Sequence, residues 1–140
     1  NQIVWGGNYF TDNLPPTNSW VIWHKHSNAD LIKMSEAEMA WTSFKKVAKV
    51  VKMNWSGAVK CEITTKIHPH QKPVMLYKWL LSRYAKPGDK ILDTHAGSCS
   101  LPVACIDMGF DFVACEIDPD YWKAGLQRVI DFKAQIKIPF

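Results

Sequence analysis

From Lys72 to Phe132 the sequence alternates helix and strand signals with short connections, and this alternation restricts the fold more than any other feature. Lys72-Pro73 opens a helix, since proline suits the first helical position. Pro73, Tyr77, Leu80, Leu81 and Tyr84 then recur at helical spacing until Lys86-Pro87-Gly88-Asp89 stops the run. Residues 90–94 read as a short strand, followed by a turn holding Gly97 and a helix over about 100–108 that Gly109 closes. Residues 111–116 form a second strand, in which Phe112-Val113-Ala114-Cys115 predicts burial on both faces. Asp118 caps the next helix with Pro119 at its first position, and Tyr121, Gly125, Val129 and Phe132 line one side of it. Helix, strand, helix, strand, helix implies parallel pairing through right-handed crossovers. The fold class is α/β with a mostly parallel sheet.

The N-terminal part adds further strands. Residues 2–5 and 19–25 have strand character, separated by a Gly6-Gly7 turn and a Pro15-Pro16 loop. Residues 35–44 admit two readings. Ser35 with Glu38 matches a capping box, while Met39-Ala40-Trp41-Thr42-Ser43-Phe44 suits a buried strand. With 140 residues, 47% of them hydrophobic and 21% charged, the chain is expected to build one globular domain over residues 1–140. No apolar run approaches the ~18 residues of a membrane span, and no targeting pattern is visible. Cys61, Cys99, Cys105 and Cys115 form no CxxC pair, which argues against a structural zinc or a disulfide framework. A cytoplasmic protein with free thiols is expected. Strand-like sequence begins almost at Asn1, as in a chain cut inside a larger fold.

Charge is uneven. Residues 1–44 carry −2, residues 45–66 carry +5, and the remainder +1. The middle segment holds Lys45, Lys46, Lys49, Lys52, Lys60 and Lys66 against Glu62 alone, with Trp41 and Trp55 nearby. Clustered lysines with aromatics suit a phosphate backbone, where each neutralised phosphate releases counterions. A solvated lysine-rich strand pair would carry the same pattern.

The chemistry concentrates in Lys90-Ile91-Leu92-Asp93-Thr94-His95-Ala96-Gly97-Ser98, followed by a helix, a strand and Glu116. An acid at a strand end and a small-residue turn into a helix make a nucleotide-type site, because backbone N–H groups can approach the ligand. Glu116 follows Asp93 by 23 residues, close to the ~20-residue offset at which an acid accepts bonds from ribose hydroxyls. Only Gly97 of a GxGxxG pattern is present, which disfavours a pyrophosphate cradle and a nicotinamide cofactor. An adenosine-type cofactor site and an ordinary α/β core both remain open at this point. His68 and His70 are spaced like a metal pair but lack a third ligand, so no metal is assigned.

Five strings in order then resemble one family. They are Ile3-Val4-Trp5-Gly6-Gly7-Asn8-Tyr9-Phe10 with Ser19-Trp20-Val21-Ile22-Trp23-His24-Lys25, His68-Pro69-His70-Gln71-Lys72-Pro73, Gly88-Asp89-Lys90-Ile91-Leu92-Asp93, Gly97-Ser98, and Val113-Ala114-Cys115-Glu116-Ile117-Asp118 with Tyr121. Together they are similar to the amino-methylating DNA methyltransferases of the β arrangement, including phage and bacterial members. The resemblance implies a Rossmann-like methyltransferase fold in circularly permuted order, incomplete at its N-terminus, with S-adenosylmethionine as cofactor. Asp93 and the turn of Thr94, His95, Ala96, Gly97 and Ser98 would face the methionine part. Glu116 would hold the ribose hydroxyls, and Lys72 with Gln71 would fix the carboxylate end. The chain departs from the family pattern at His70, where the family has threonine, at Thr94-His95 in place of Pro-Phe, and at Cys99 in place of glycine.

The resemblance also implies DNA as partner, with methyl transfer to the exocyclic amine of adenine, or of cytosine as the alternative. The family's Asp-Pro-Pro-Tyr-type segment receives a base flipped out of the duplex, and it precedes the Trp-Gly-Gly-Asn-Tyr string. Only Asn1 to Val4 stand before that string here, and Leu14-Pro15-Pro16-Thr17 is read as a loop. No catalytic residue is therefore assigned, and a remnant that binds cofactor or DNA without turnover is the competing expectation. Residues 45–66 occupy the place of the target-recognition segment. Their shortness points to phosphate contacts through Lys45, Lys46, Lys49 and Lys52, with base reading weak or supplied by the second subunit of a homodimer.

Overall fold

The computed structural model describes residues 1–25, 35–56, 59–62 and 64–136. They fall into two compact units, residues 1–61 and residues 62–140.

The first unit is built on a four-stranded sheet. Its strands are β1 (Ile3–Trp5), β2 (Trp20–His24), β3 (Ala37–Thr42) and β4 (Lys49–Lys52), in the order β1-β3-β2-β4. A short antiparallel pair, β5 (Trp55–Ser56) and β6 (Val59–Lys60), follows. The two readings of residues 35–44 are decided in favour of the strand. β3 runs antiparallel to both neighbours, with Val4 opposite Trp41 and Val21 opposite Ala40. Paired on both edges, its backbone gains two ladders that an isolated helical turn could not supply. Ser35 Oγ donates to the Ala37 carbonyl and caps no helix. β4 lies parallel to β2, with Ile22 opposite Val50, so this sheet is mixed.

Side-chain alternation along β2 sends Val21 and Trp23 to one buried face, beside Ala40 and Val51, while Trp41 is buried on the other face beside Trp20. The two buried indoles each find an acceptor, Trp23 Nε1 at the Met53 carbonyl (3.0 Å) and Trp41 Nε1 at the Pro15 carbonyl (2.8 Å). Buried Thr42 Oγ1 likewise donates to Ser19 Oγ at 2.6 Å. The Leu14-Pro15-Pro16-Thr17 stretch is a loop, as expected.

The second unit follows the anticipated order: α1 (Val74–Tyr84), β7 (Lys90–Asp93), α2 (Ser100–Met108), β8 (Asp111–Ala114) and α3 (Pro119–Ile136). β7 and β8 pair in parallel, Asp93 beside Ala114. Leu76, Leu80 and Leu81 of α1 and Val103, Ala104 and Cys105 of α2 are buried. Val129 of α3 packs with Ala96, Cys99 and Val103.

Two expectations need correction. Pro73 stands just before α1, in extended conformation, rather than at its first position. The free N–H groups of Val74 and Met75 are instead taken by the two oxygens of Glu62, at 2.9 and 3.1 Å. Residues 112–115 are not buried on both faces. Phe112 and Ala114 point toward the helices, whereas Val113 is 62% exposed beside Leu92 at 64%. The described helices pack on one side of the pair, so burial alternates as in a half-covered sheet.

Candidate functional site

The site lies where the carboxyl ends of β7 and β8 meet the turn into α2. The β7–β8 ladder continues past the strands, through Cys115 N–H to the Asp93 carbonyl and Ala96 N–H to the Cys115 carbonyl, both 2.8 Å. These two bonds fold the 94–98 turn back over the tip of β8. Glu116 then reaches the turn. Its Oε2 accepts from Gly97 N–H at 2.7 Å and its Oε1 from Asp118 N–H at 3.0 Å. Those N–H groups hold the Glu116 carboxyl below the usual range. With the Ile117 N–H as a third backbone donor, the carboxylate still keeps acceptor capacity for a further donor.

Asp93 stands at the end of β7. One oxygen accepts from His95 N–H at 3.2 Å, and among the described residues its second oxygen has no bond. Burial raises the Asp93 carboxyl above its ordinary value, opposed by the His95 N–H and reinforced by the negative charge of Glu116. The two acids are thus close enough to feel each other, one relieved by backbone donors and the other short of them. Such a pair accepts from hydroxyl or cationic donors and repels anions.

The His68-to-Pro73 string closes the same place. The His68 ring lies against Gly97, where an added Cβ would sit 3.4 Å from ring carbons, and Gly97 has φ +50°. That distance is ordinary contact, so it is the positive φ that favours glycine here. Tyr121, at the start of α3, stacks edge-on against His68 with ring centres 4.5 Å apart. Burial pushes the His68 imidazole to a lower pKa, opposed by the negative charge of Glu116 and aided by the positive charge of Lys72. His68 Nδ1 accepts from His70 N–H at 3.1 Å, so this pair is committed to shaping the loop.

The structure brings Asp93, Gly97, Ser98 and Glu116 together around one turn, and the Lys72 carbonyl is bonded by Ser100 Oγ at the start of α2. Thr94 and His95 are exposed on its outer side, their side chains bonded to each other at 2.9 Å, and Ala96 is buried beneath. Gln71 stands apart in role. It is buried, and its amide is spent on Ile67 N–H (3.0 Å), the Thr65 carbonyl (3.1 Å) and Thr64 Oγ1 (3.5 Å). It holds the loop that carries Lys72.

Cys99 adopts the left-handed conformation, φ 57°, at the position where a glycine would be at ease. Its side chain is buried with Ala96, Val103 and Val129 and lies against Gly125 of α3. Sequence reasoning placed Gly125 on the packed side of α3 but did not foresee this fit. It also missed Arg128, which donates to the Ser98 carbonyl and to Ser100 Oγ, both at 2.9 Å. The available signal was a lone cation in the otherwise apolar stripe Tyr121, Gly125, Arg128, Phe132.

In the first unit, Lys45, Lys46, Lys49 and Lys52 are all exposed, the last two on β4 at the edge of the sheet. Lys46 lies 5.8 Å from the Phe44 ring centre and Lys60 lies 5.5 Å from that of Trp55. An open groove of about 660 Å³ runs along Pro15, Pro16, Thr17, Phe44, Lys45 and Lys46. Among the described residues, no group of three or more His, Cys, Asp or Glu side chains is placed to hold a metal ion. No helix among them is long and apolar enough to cross a membrane.

Comparison with solved structures gives the same architecture. The complex of M1.HpyAVI with SAM matches with a TM-score of 0.60 at 24% identity, over 87% of this chain and 66% of the other. PvuII DNA methyltransferase (cytosine-N4-specific) matches with a TM-score of 0.62 at 14% identity, over 92% and 60%. The α/β order and the acid-tipped parallel strand pair therefore define a Rossmann-like methyltransferase fold. Among curated proteins, DNA adenine methyltransferase YhdJ of Escherichia coli is 40% identical over 62 residues, 44% of this chain and 21% of that protein. The type II methyltransferase M2.DpnII of Streptococcus pneumoniae is 31% identical over 83 residues, 58% of this chain and 31% of that protein. The chain thus spans a third or less of these relatives. The family model described as DNA methylase matches residues 5–127, and the chain belongs to that family.

Proposed function

We propose that this chain forms the cofactor-binding part of a DNA methyltransferase that transfers a methyl group from S-adenosylmethionine to the exocyclic amine of adenine. The observation that carries the reading is the convergence of Asp93 and Glu116 on one glycine turn, with Glu116 anchored by Gly97 N–H at 2.7 Å.

The residues suit that cofactor chemically. Glu116 keeps acceptor capacity beside its backbone donors, which fits a ribose hydroxyl. Asp93 has an unbonded oxygen in a half-buried place, which fits an ammonium or a sulfonium-bearing chain. Lys72 supplies a positive charge for a carboxylate, and the His68 ring over Gly97 gives a flat wall. When bound, S-adenosylmethionine supplies the methyl group and a thioether leaving group. The protein's share is to orient that group in line with the amine nitrogen and to exclude water. No cysteine lies in a Pro-Cys string, so a covalent attack of the kind that precedes carbon methylation is not supported.

Exposed Lys45, Lys46, Lys49 and Lys52 serve as phosphate contacts for DNA. Cytosine-N4 methylation is the second reading, favoured by the PvuII likeness; adenine is preferred from the match to YhdJ.

Calorimetric titration of the 140-residue chain with S-adenosylmethionine tests the cofactor site, and absence of binding would refute it. Labelled methyl transfer by the whole reading frame, followed by nucleoside analysis, tests the rest. Label in N6-methyladenine supports the proposal, label in N4-methylcytosine selects the alternative, and no label in DNA leaves the non-catalytic remnant.

A further inference from the structure

We infer that Arg128 is a positioning residue for the cofactor turn, an inference that rests on the proposed reading of that turn. Arg128 lies in the middle of α3, half-buried, and meets the cofactor turn only at the Ser98 carbonyl. Its guanidinium joins three chain segments. Nη1 donates to the Ser98 carbonyl and to Ser100 Oγ, each at 2.9 Å, and Nη2 lies 3.4 Å from Thr64 Oγ1. Ser100 Oγ in turn donates to the Lys72 carbonyl at 2.7 Å, and Thr64 Oγ1 accepts from Gln71 Nε2 at 3.5 Å. One cation therefore ties α3 to the 98–100 turn and to the 64–72 loop, which are the walls of the proposed site.

The bonds to residues 98 and 100 fall on either side of Cys99, the only non-glycine residue with positive φ among those described. A left-handed non-glycine residue persists only where its surroundings over-determine it. Arg128 grips the backbone before Cys99 and the side chain after it, while Gly125, one turn earlier on α3, leaves room for its sulfur. This clamp holds Gly97 N–H aimed at Glu116. Burial depresses the pKa of Arg128, against the negative charge of Glu62. A desolvated cation is kept at such a place when its rigid fork of donors is used. Lysine, with a single ammonium, cannot reach all three acceptors.

The test measures affinity for S-adenosylmethionine by calorimetry on the 140-residue chain, for wild type, Arg128→Ala, Arg128→Lys and Leu81→Ala. Leu81 is buried between α1 and α2, away from the turn, so its truncation controls for general loss of stability, with melting temperatures recorded in parallel. The expected result is a loss of tenfold or more in affinity for both Arg128 variants. Millimolar methylguanidinium restores part of it in Arg128→Ala only, and Leu81→Ala binds within twofold of wild type. Wild-type affinity in Arg128→Lys overturns the inference, since that variant retains charge and bulk without the fork. Equal weakening in Leu81→Ala at a matched melting temperature also overturns it, since the role is then merely structural. A wild-type chain that takes no cofactor refutes the cofactor reading itself, and the inference with it.

Discussion

Gly125→Ala isolates the fit between α3 and the turn. By helix propensity alone the change should stabilise the chain by about 1 kcal/mol, because Gly125 lies within α3. The structure predicts the opposite sign. An alanine Cβ would fall 2.6 Å from Cys99 Sγ, 3.1 Å from the Gly97 carbonyl oxygen and 3.4 Å from Cys99 Cβ. The sulfur is packed among buried Ala96, Val103 and Val129 and has little room to turn, and the carbonyl belongs to backbone. Overpacking of this kind costs roughly 1–3 kcal/mol, so the net expectation is a loss of about 0–2 kcal/mol. Cys99→Gly relieves both the left-handed residue and the sulfur contact, so the double variant should recover most of the loss. Urea unfolding of the four proteins gives the coupling energy, expected to be about 1 kcal/mol or more for groups in contact. Gly125→Ala should also weaken cofactor binding, because the displaced atoms belong to residues 97 and 99. A single variant stabilised by the full propensity gain, with no coupling to Cys99, would refute the close approach.

Asp93→Asn removes a charge that burial disfavours, so it should raise stability at pH 7 by about 0.5–2 kcal/mol while cofactor affinity falls; chemical denaturation and calorimetry check the two arms. The acids should have opposite pH signatures. Glu116 has a depressed carboxyl pKa, so its contribution is present above its ordinary value of 4.5 and is lost as pH falls through the lower folded value. Asp93 is raised, so its contribution is present below its ordinary value of 3.8 and is lost as pH rises through the higher folded value. Glu116→Gln should therefore flatten the acid limb of the stability profile and Asp93→Asn the limb above it, which denaturation between pH 3 and 7, as a convenient range of about 4 units, reads directly. Replacing Lys45, Lys46 and Lys49 by alanine should lower the slope of log affinity for DNA against log salt by about 2–3; an unchanged slope removes these lysines from the interface. Glu62→Ala should cost about 1 kcal/mol by uncapping α1, measured by thermal unfolding.

Much of the second unit was legible because its signals are local. Proline, glycine and aspartate mark the ends of α2 and α3, and Asp118 does cap α3, accepting from Asp120 and Tyr121 N–H at 2.9 and 3.0 Å. The apolar stripe of α3 also predicted burial of Gly125 and Val129. Residues 35–44 were ambiguous because a capping box and a buried strand share the same few residue types, and only pairing with β1 and β2 separates them. The proline expected inside α1 falls outside it, and Glu62, 12 residues before Val74, satisfies the first N–H groups. Gln71 carries a family motif, yet its orientation toward the 64–67 loop depends on burial that no string encodes.

The sequence by itself determined the order of elements, the acids at the two strand ends and the basic middle segment, since each is written in residue types a few positions apart. Tertiary structure decided the rest: that β3 lies inside the sheet, that Gly125 makes room for Cys99, and that Arg128 reaches Thr64 across 64 residues. Those facts arise from contacts between segments distant in the chain. Their energy depends on distances and burial that exist only once the units have packed.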